Sequence, residues 1–343
     1  MIARKWVINK PFFGLPQESD VSIIEEPLED LRYGDVLAKA EYISVDPYQH
    51  PIGSQMAIGT TMIGLQVALV LESKNPDWKV GDRMVACLGW RDLSVFDPSQ
   101  DLGYAMMKHK TYRLPELGPD LPSSLALGML GLPGNAAYFV LKALEPKAGE
   151  TLVVSSAAGA VGSHVGQMAK IYGLKVVGVA GSDEKCRWLL DDLGFDRAVN
   201  YKSCQDLAAA LRDAAPDGFD CYFDNVGGEI SSCILGHMKE FGRIAVCGST
   251  SCYNHGNIWR YELLPKCPTV QDIVSRRQLR MQGFFVSSWE HRWCEGINQT
   301  LAWLRQGRLK YKECLVHGFD NTFQAFVKML KGEHMGKTIV KVS

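Results

Sequence analysis

The residues Ser155-Ser156-Ala157-Ala158-Gly159-Ala160-Val161-Gly162 put small side chains between two differently patterned stretches. Before them runs the apolar segment Thr151-Leu152-Val153-Val154-Ser155, and Gly162 to Tyr172 has helical spacing. Small residues at such a turn let backbone N–H groups close around an anion. The opening helix adds unpaired donors and the positive end of its dipole. Aligned to the Gly-x-Gly-x-x-Gly spacing of dinucleotide sites, Ala157 stands at the first glycine. Gly159 stands where the backbone meets a pyrophosphate, and Gly162 where helix and strand pack closely. Taken alone, the turn reads equally as a tight strand–helix connection. The second strand, Lys175-Val176-Val177-Gly178-Val179-Ala180, completes a strand–helix–strand unit and favours the phosphate reading.

The end of that second strand selects the cofactor. An NAD site tends to carry Asp or Glu there, bonded to the ribose hydroxyls. Here Gly181 and Ser182 occupy the place, followed by Asp183, Glu184 and Lys185. Small residues leave room for a 2′-phosphate, and Lys185 can neutralise it. Asp183 is read as the N-cap of the next helix. The expected cofactor is NADPH.

These residues need a doubly wound sheet to hold them, and the second half of the chain has its pattern. Strand-like and helix-like segments alternate: Glu184 to Leu193 helical, Ala198-Val199-Asn200 a strand, Cys204 to Ala214 helical, Asp220 to Asp224 a strand. Then come a helix over Ile230 to Lys239, a strand over Arg243 to Cys247 and a loop over 250–272 with Pro265 and Pro268. A strand over Met281 to Val286 and a helix from Arg292 to Gln306 follow. Such alternation predicts a parallel sheet covered by helices. Roughly the first 120 residues instead show short apolar runs broken by Gly, Pro and Asp, an irregular β pattern.

At 343 residues the chain exceeds one typical domain of about 150 residues. Thirty-seven basic against 38 acidic residues leave a net charge of −1, which argues against a broad nucleic-acid-binding surface. No apolar run is long enough for a membrane span. With no secretion, peroxisomal or lipidation signal, the expected compartment is the cytoplasm. The ten cysteines include no Cys-x-x-Cys pair, so they read as ordinary thiols and no metal site is expected.

Together these segments resemble the zinc-independent medium-chain dehydrogenase/reductases, in the prostaglandin reductase and alkenal double-bond reductase branch. The likeness runs through Ser156 to Ser163, Val177 to Lys185 and Leu193-Gly194-Phe195-Asp196. It extends over Val45-Asp46-Pro47-Tyr48, Met62 to Ala68, Gly131 to Tyr138, Phe219 to Gly228, Phe241-Gly242-Arg243-Ile244 and Gly336 to Lys341. The resemblance implies a GroES-like β domain over 1–122 and 312–343, a Rossmann NADPH-binding domain over 123–311, an active site in the cleft and a homodimer. Zinc-dependent relatives carry a ligand cysteine near Val45-Asp46 and a Gly-His-Glu near Gly64-Leu65-Gln66; neither is present here.

Carried over by resemblance, Gly159, Ala160, Val161 and Gly162 meet the pyrophosphate, and Ser182, Lys185 and Tyr201 the 2′-phosphate side. Asn225, Cys247, Gly248, Ser249 and Tyr253 line the cofactor, Phe284, Phe285 and Val286 approach the carboxamide, and His334 stands in a cofactor-contacting place. Tyr48 and Trp90 are expected to line an apolar substrate pocket, with surface packing as an equal reading of Trp90. Tyr201, Phe284, Phe285 and Asn225 also have plain structural readings as strand-end packing, core or turn. Three positions depart from the family pattern: His50 replaces an arginine, Ala136 a threonine and His334 an asparagine.

The implied reaction reduces a carbon–carbon double bond conjugated to a carbonyl, in 2-alkenals and 15-oxoprostaglandins, with Tyr253 as candidate donor through its hydroxyl or through the nicotinamide ribose hydroxyl; Tyr253 also reads as a structural loop tyrosine. Two alternatives stay open: an NADPH quinone reductase, and an NADPH-binding protein without catalysis.

Overall fold

The computed structural model describes residues 1–103, 109–254 and 270–342. The expected loop prolines Pro265 and Pro268, and Cys267, lie outside them. Contacts divide the chain into two compact units: Met1–Gly128 with Glu313–Ser343, and Met129–Lys312.

The first unit opens with a hairpin-like pair, β1 (Ile2–Ile8) antiparallel to β2 (Val21–Pro27). β3 (Val36–Ser44) is followed by the short helix α1 (Gln49–Gly53) and then β4 (Gln66–Ser73), β5 (Arg83–Ala86), β6 (Leu93–Phe96) and β7 (Tyr112–Arg113). Alternate residues of β3, β4 and β5 (Val36, Ala38, Ala68, Val70, Met84, Ala86) form one buried layer, the period-two pattern of a strand with one face on a core.

The second unit runs α2 (Leu132–Leu144), β8 (Thr151–Val154), α3 (Ala160–Ile171), β9 (Lys175–Ala180) and α4 (Asp183–Arg187). β10 (Arg197–Asn200), α5 (Leu207–Ala214), β11 (Phe219–Asp224), α6 (Gly228–Leu235) and β12 (Met238–Val246) come next. Then α7 (Val270–Arg276), β13 (Arg280–Gly283) and α8 (Trp293–Arg305) complete it. Its six strands pair in the order β10-β9-β8-β11-β12-β13, every pair parallel. The direction of winding reverses between β8 and β11, the Rossmann order. Val153, Val177, Val179, Val199, Tyr222 and Ile244 face α5, α6 and α7. The opposite face packs on α2 and α3. There α3 comes so close that a Cβ at Gly166 would stand 1.9 Å from the Phe195 ring. Asp196, next in line, accepts the Val176 N–H at 2.6 Å and pairs with Lys170 of α3 at 2.8 Å. That is the physical content of the Leu193-Gly194-Phe195-Asp196 segment.

The tail returns to the first unit. β14 (Glu313–His317), α9 (Thr322–Leu330) and β15 (Lys337–Lys341) follow, and β15 inserts between β14 and β3 in a seven-stranded sheet.

Some boundaries differ from the sequence expectation. The helix expected over Ile230 to Lys239 ends at Leu235, because Gly236 and His237 turn the chain and buried Met238 pairs with Phe219. The helix expected to Leu193 widens after Arg187 into a π turn over Trp188–Asp192. The strand expected to Val286 stops at Gly283, and a 3-10 segment takes over at Val286–Arg292.

Candidate cofactor site

The strand ends at the reversal point build the site. After β8, Ser156 adopts φ +50, and its carbonyl accepts the Gly159 N–H at 3.0 Å. Gly159 is the N-cap of α3, without a side-chain cap. The first helical bond is Ser163 N–H to the Gly159 carbonyl at 3.0 Å. The N–H groups of Ala160, Val161 and Gly162 therefore have no acceptor inside the helix and point out of its start. A Cβ at Gly162 would meet the Ser156 carbonyl oxygen at 2.4 Å, so only glycine lets the helix begin this close to the strand.

The loop after β11 is tied to this turn. The Asn225 N–H donates to the Ser155 hydroxyl oxygen at 2.9 Å. Asp224 is buried and accepts from the N–H groups of Val226 (3.0 Å) and Gly227 (2.9 Å) and from the Ser231 hydroxyl (2.7 Å). The loop after β12 joins in: Cys247 N–H donates to the Asp224 carbonyl at 2.7 Å and Thr250 N–H to the Asn225 carbonyl at 3.2 Å. A Cβ at Gly248 would stand 2.4 Å from Asn225 Oδ1, so the amide side chain lies directly over the glycine. Ser249 precedes the 3-10 turn Thr250–Cys252 without a side-chain cap, and Tyr253 follows it, half-buried. Burial pushes the Tyr253 phenol up to about 12, against a smaller opposing effect of the Ser249 backbone. It pushes the Cys247 thiol to about 12 as well, with Asp224 adding to the effect. At neutral pH both groups hold their protons. Phe284 continues the ladder with its N–H on the Val246 carbonyl at 2.8 Å and is buried, as is Val286; Phe285 is exposed.

At the end of β9, Ser182 rather than Asp183 is the N-cap of α4: its hydroxyl accepts the Lys185 N–H at 3.2 Å. The expectation for Asp183 is thereby corrected. Its carboxylate instead accepts from the Asn200 amide at 2.7 Å. Capping needs an oxygen at the residue just before the helix, and the chain turns helical at Asp183 itself. A Cβ at Gly181 would lie 3.2 Å from the Tyr201 ring and 3.3 Å from Lys202 Cε. Burial and the neighbouring Lys202 ammonium hold Lys185 below the usual lysine range, with Glu184 opposing. The turn after β8, the paired loops after β11 and β12 and this cationic edge can hold a dinucleotide with an extra phosphate on its ribose. Lys202 and Asn200 escaped the sequence reading, although they flank Tyr201; only the β9–β10 register brings them to the end of β9.

In the first unit, Tyr48 precedes α1, half-buried. Burial and then Asp46 hold its phenol well above the ordinary range. Trp90 is a correction. It has no exposed surface, packs edge-on to Phe326 with centroids 5.5 Å apart, and fills space opened by Gly64, where a Cβ would meet it at 2.8 Å. It is an interior residue, not a pocket wall. His50 is buried and its Nε2 donates to the Gly14 carbonyl at 2.6 Å; burial lowers its pKa. Ala136 is buried in α2 of the other unit. His334 lies half-buried in the turn before β15.

Residues 160–302 match the family model described as zinc-binding dehydrogenase, and residues 4–102 that described as N-terminal domain of oxidoreductase. The donor set does not fit zinc. Among the described residues no group of three or more His, Cys, Asp or Glu is arranged to hold a metal ion. Asp46 is already paired with the buried Lys337 ammonium at 2.6 Å. No described helix is long and apolar enough to cross a membrane.

Prostaglandin reductase 1 of Rattus norvegicus is 45% identical over 99% of both chains. The NADP(+)-dependent 2-alkenal reductase of Nicotiana tabacum is 37% identical over 100% of this chain and 98% of its own. The crystal structure of CurA from Vibrio vulnificus in complex with NADPH superposes with a TM-score of 0.89 at 32% identity, covering 99% of each chain.

Proposed function

Because the chain belongs to the zinc-independent medium-chain dehydrogenase/reductases, in their prostaglandin reductase branch, we propose that it reduces the carbon–carbon double bond of α,β-unsaturated aldehydes and ketones with NADPH. The observation that carries the reading is the second unit's strand ends. They combine a glycine-lined helix start, a lysine-rich edge beyond β9 and a protonated phenol beyond β12. Gly159 to Gly162 hold the pyrophosphate, Ser182, Lys185 and Tyr201 the 2′-phosphate end. Asn225, Cys247, Gly248, Ser249, Phe284, Phe285 and Val286 serve as walls for the rest of the cofactor. His334 is a further cofactor contact in this reading.

When bound there, NADPH would supply a hydride to the β carbon of the conjugated double bond. Negative charge then grows on the carbonyl oxygen, and a proton must reach the α carbon. Tyr253 stabilises that oxygen by donating from its phenol, and serves as the proton source. A phenol at about 12 stays protonated across the neutral range and so can donate. The Cys247 thiol beside it is held neutral as well. Tyr48 is the substrate-facing residue of the first unit. His50, buried and bonded to Gly14, offers no charge to a carboxylated chain. Medium-length 2-alkenals therefore rank ahead of 15-oxoprostaglandins as substrates.

We also propose a homodimer. β13 has β12 as its single neighbour among the described residues and is exposed along its whole length, and an open strand edge invites pairing.

The test follows NADPH and NADH oxidation with a 2-alkenal, a quinone and a 15-oxoprostaglandin in parallel. The account expects the 2-alkenal with NADPH to be fastest. Faster turnover of the quinone would favour the quinone reductase reading, and cofactor binding without turnover of any acceptor the non-catalytic one.

A further inference from the structure

We infer that Lys202, positioned by Asn200, is a second cation of the 2′-phosphate site and sets the preference for NADPH over NADH jointly with Lys185. The inference rests on placing that phosphate at the end of β9. The parallel register sets Asn200 beside Ala180, and the Tyr201 N–H donates to the Ala180 carbonyl at 3.1 Å. The residues after β10 therefore run alongside Gly181. Tyr201 Oη and Lys202 Cε would each lie 3.3 Å from a Cβ at Gly181, so phenol and lysine stem share one floor that glycine leaves open. The Lys202 ammonium stands 6.0 Å from the Tyr201 ring centre.

Asn200 organises the charges. Its amide N–H₂ donates to Asp183 at 2.7 Å, and its Oδ1 accepts the Lys202 N–H at 3.1 Å. One side chain thus holds the Asp183 carboxylate and fixes the start of Lys202. Two ammonium groups thus share this edge; burial first, and the Lys202 charge second, hold Lys185 below the usual lysine range. A phosphate monoester carries about −1.5 to −2 charges at neutral pH, which matches two lysines. An unphosphorylated ribose offers the pair no such charge. Discrimination between the two cofactors therefore comes from the pair.

The experiment compares the full chain with K202Q, K202R, K185Q and N200A. It measures the affinity of each for 2′,5′-ADP and for 5′-AMP, and KM for NADPH with one 2-alkenal. K202Q should weaken 2′,5′-ADP on the order of tenfold, raise KM for NADPH similarly and leave 5′-AMP affinity in place. K202R should recover most of the loss, and N200A should show the same signature more weakly. If K185Q weakens 2′,5′-ADP and K202Q does not, the role of Lys202 is overturned while the phosphate placement stands. If K202Q weakens both nucleotides equally, Lys202 is structural and the inference is overturned. If neither lysine variant changes 2′,5′-ADP binding, the placement at β9 itself fails.

Discussion

Tyr253 follows a 3-10 turn whose loop is pinned to the end of β11 by the Thr250–Asn225 bond and by two bonds from Ser251 to the Val226 carbonyl. The anchoring holds a half-buried phenol in place, and burial keeps it protonated. Tyr253→Phe removes the hydroxyl and keeps the ring. It should lower kcat for a 2-alkenal about 10²-fold, the lower range for a positioned proton donor, with NADPH affinity held. An unchanged kcat would remove the proposed role. At this scale the sequence was informative where chemistry demands a missing side chain: Gly159 and Gly162 stand at the turn the spacing assigned them. It was uninformative where a residue works through a neighbour on another strand. Asn200 carries no periodic signal, and its bonds to Asp183 and Lys202 depend on a parallel pairing that single residues do not display. Trp90 misled for a related reason, since an aromatic residue fits a pocket wall and an interior equally well until the space left by Gly64 is seen.

Among the elements, α3 has a cost built into it. His164 is buried in its interior face, and burial pushes its pKa down to about 3. In the unfolded chain the imidazole titrates near 6.5. Between these values the unfolded state binds the extra proton, so stability is full above about 6.5 and falls as pH drops, by about 1.4 kcal/mol per pH unit. The urea midpoint should decline between pH 7 and pH 5, and His164→Gln should flatten that decline. Parallel profiles for the two proteins would contradict the assignment. The alternation of apolar runs and helical spacing made the strands β8, β9, β10 and β11 legible to within a residue at each end, whereas α5 starts at Leu207 rather than Cys204. Ends governed by tertiary packing were not. β12 starts early because Met238 has a core to enter, and β13 stops early because Val286 is drawn into a 3-10 segment.

For the molecule as a whole, two features matter. The tail strand β15 enters the first sheet beside β3, and there Lys337 meets Asp46 and the Val45 carbonyl, 2.7 Å away. Removing one partner of a buried pair strands the other charge, at a cost of about 3–5 kcal/mol. The second feature is the open edge of β13, with Met281 and Phe285 exposed near it. The proposed homodimer predicts a scattering mass twice that of the chain at micromolar concentration; a monomer mass there would exclude it.

The central claim concerns which bond is reduced. Incubation of a medium-length 2-alkenal with NADPH deuterated at the transferable position, followed by mass spectrometry, reads this directly. The account predicts the saturated aldehyde carrying one deuterium at the β carbon. An allylic alcohol with the label on the former carbonyl carbon would contradict it.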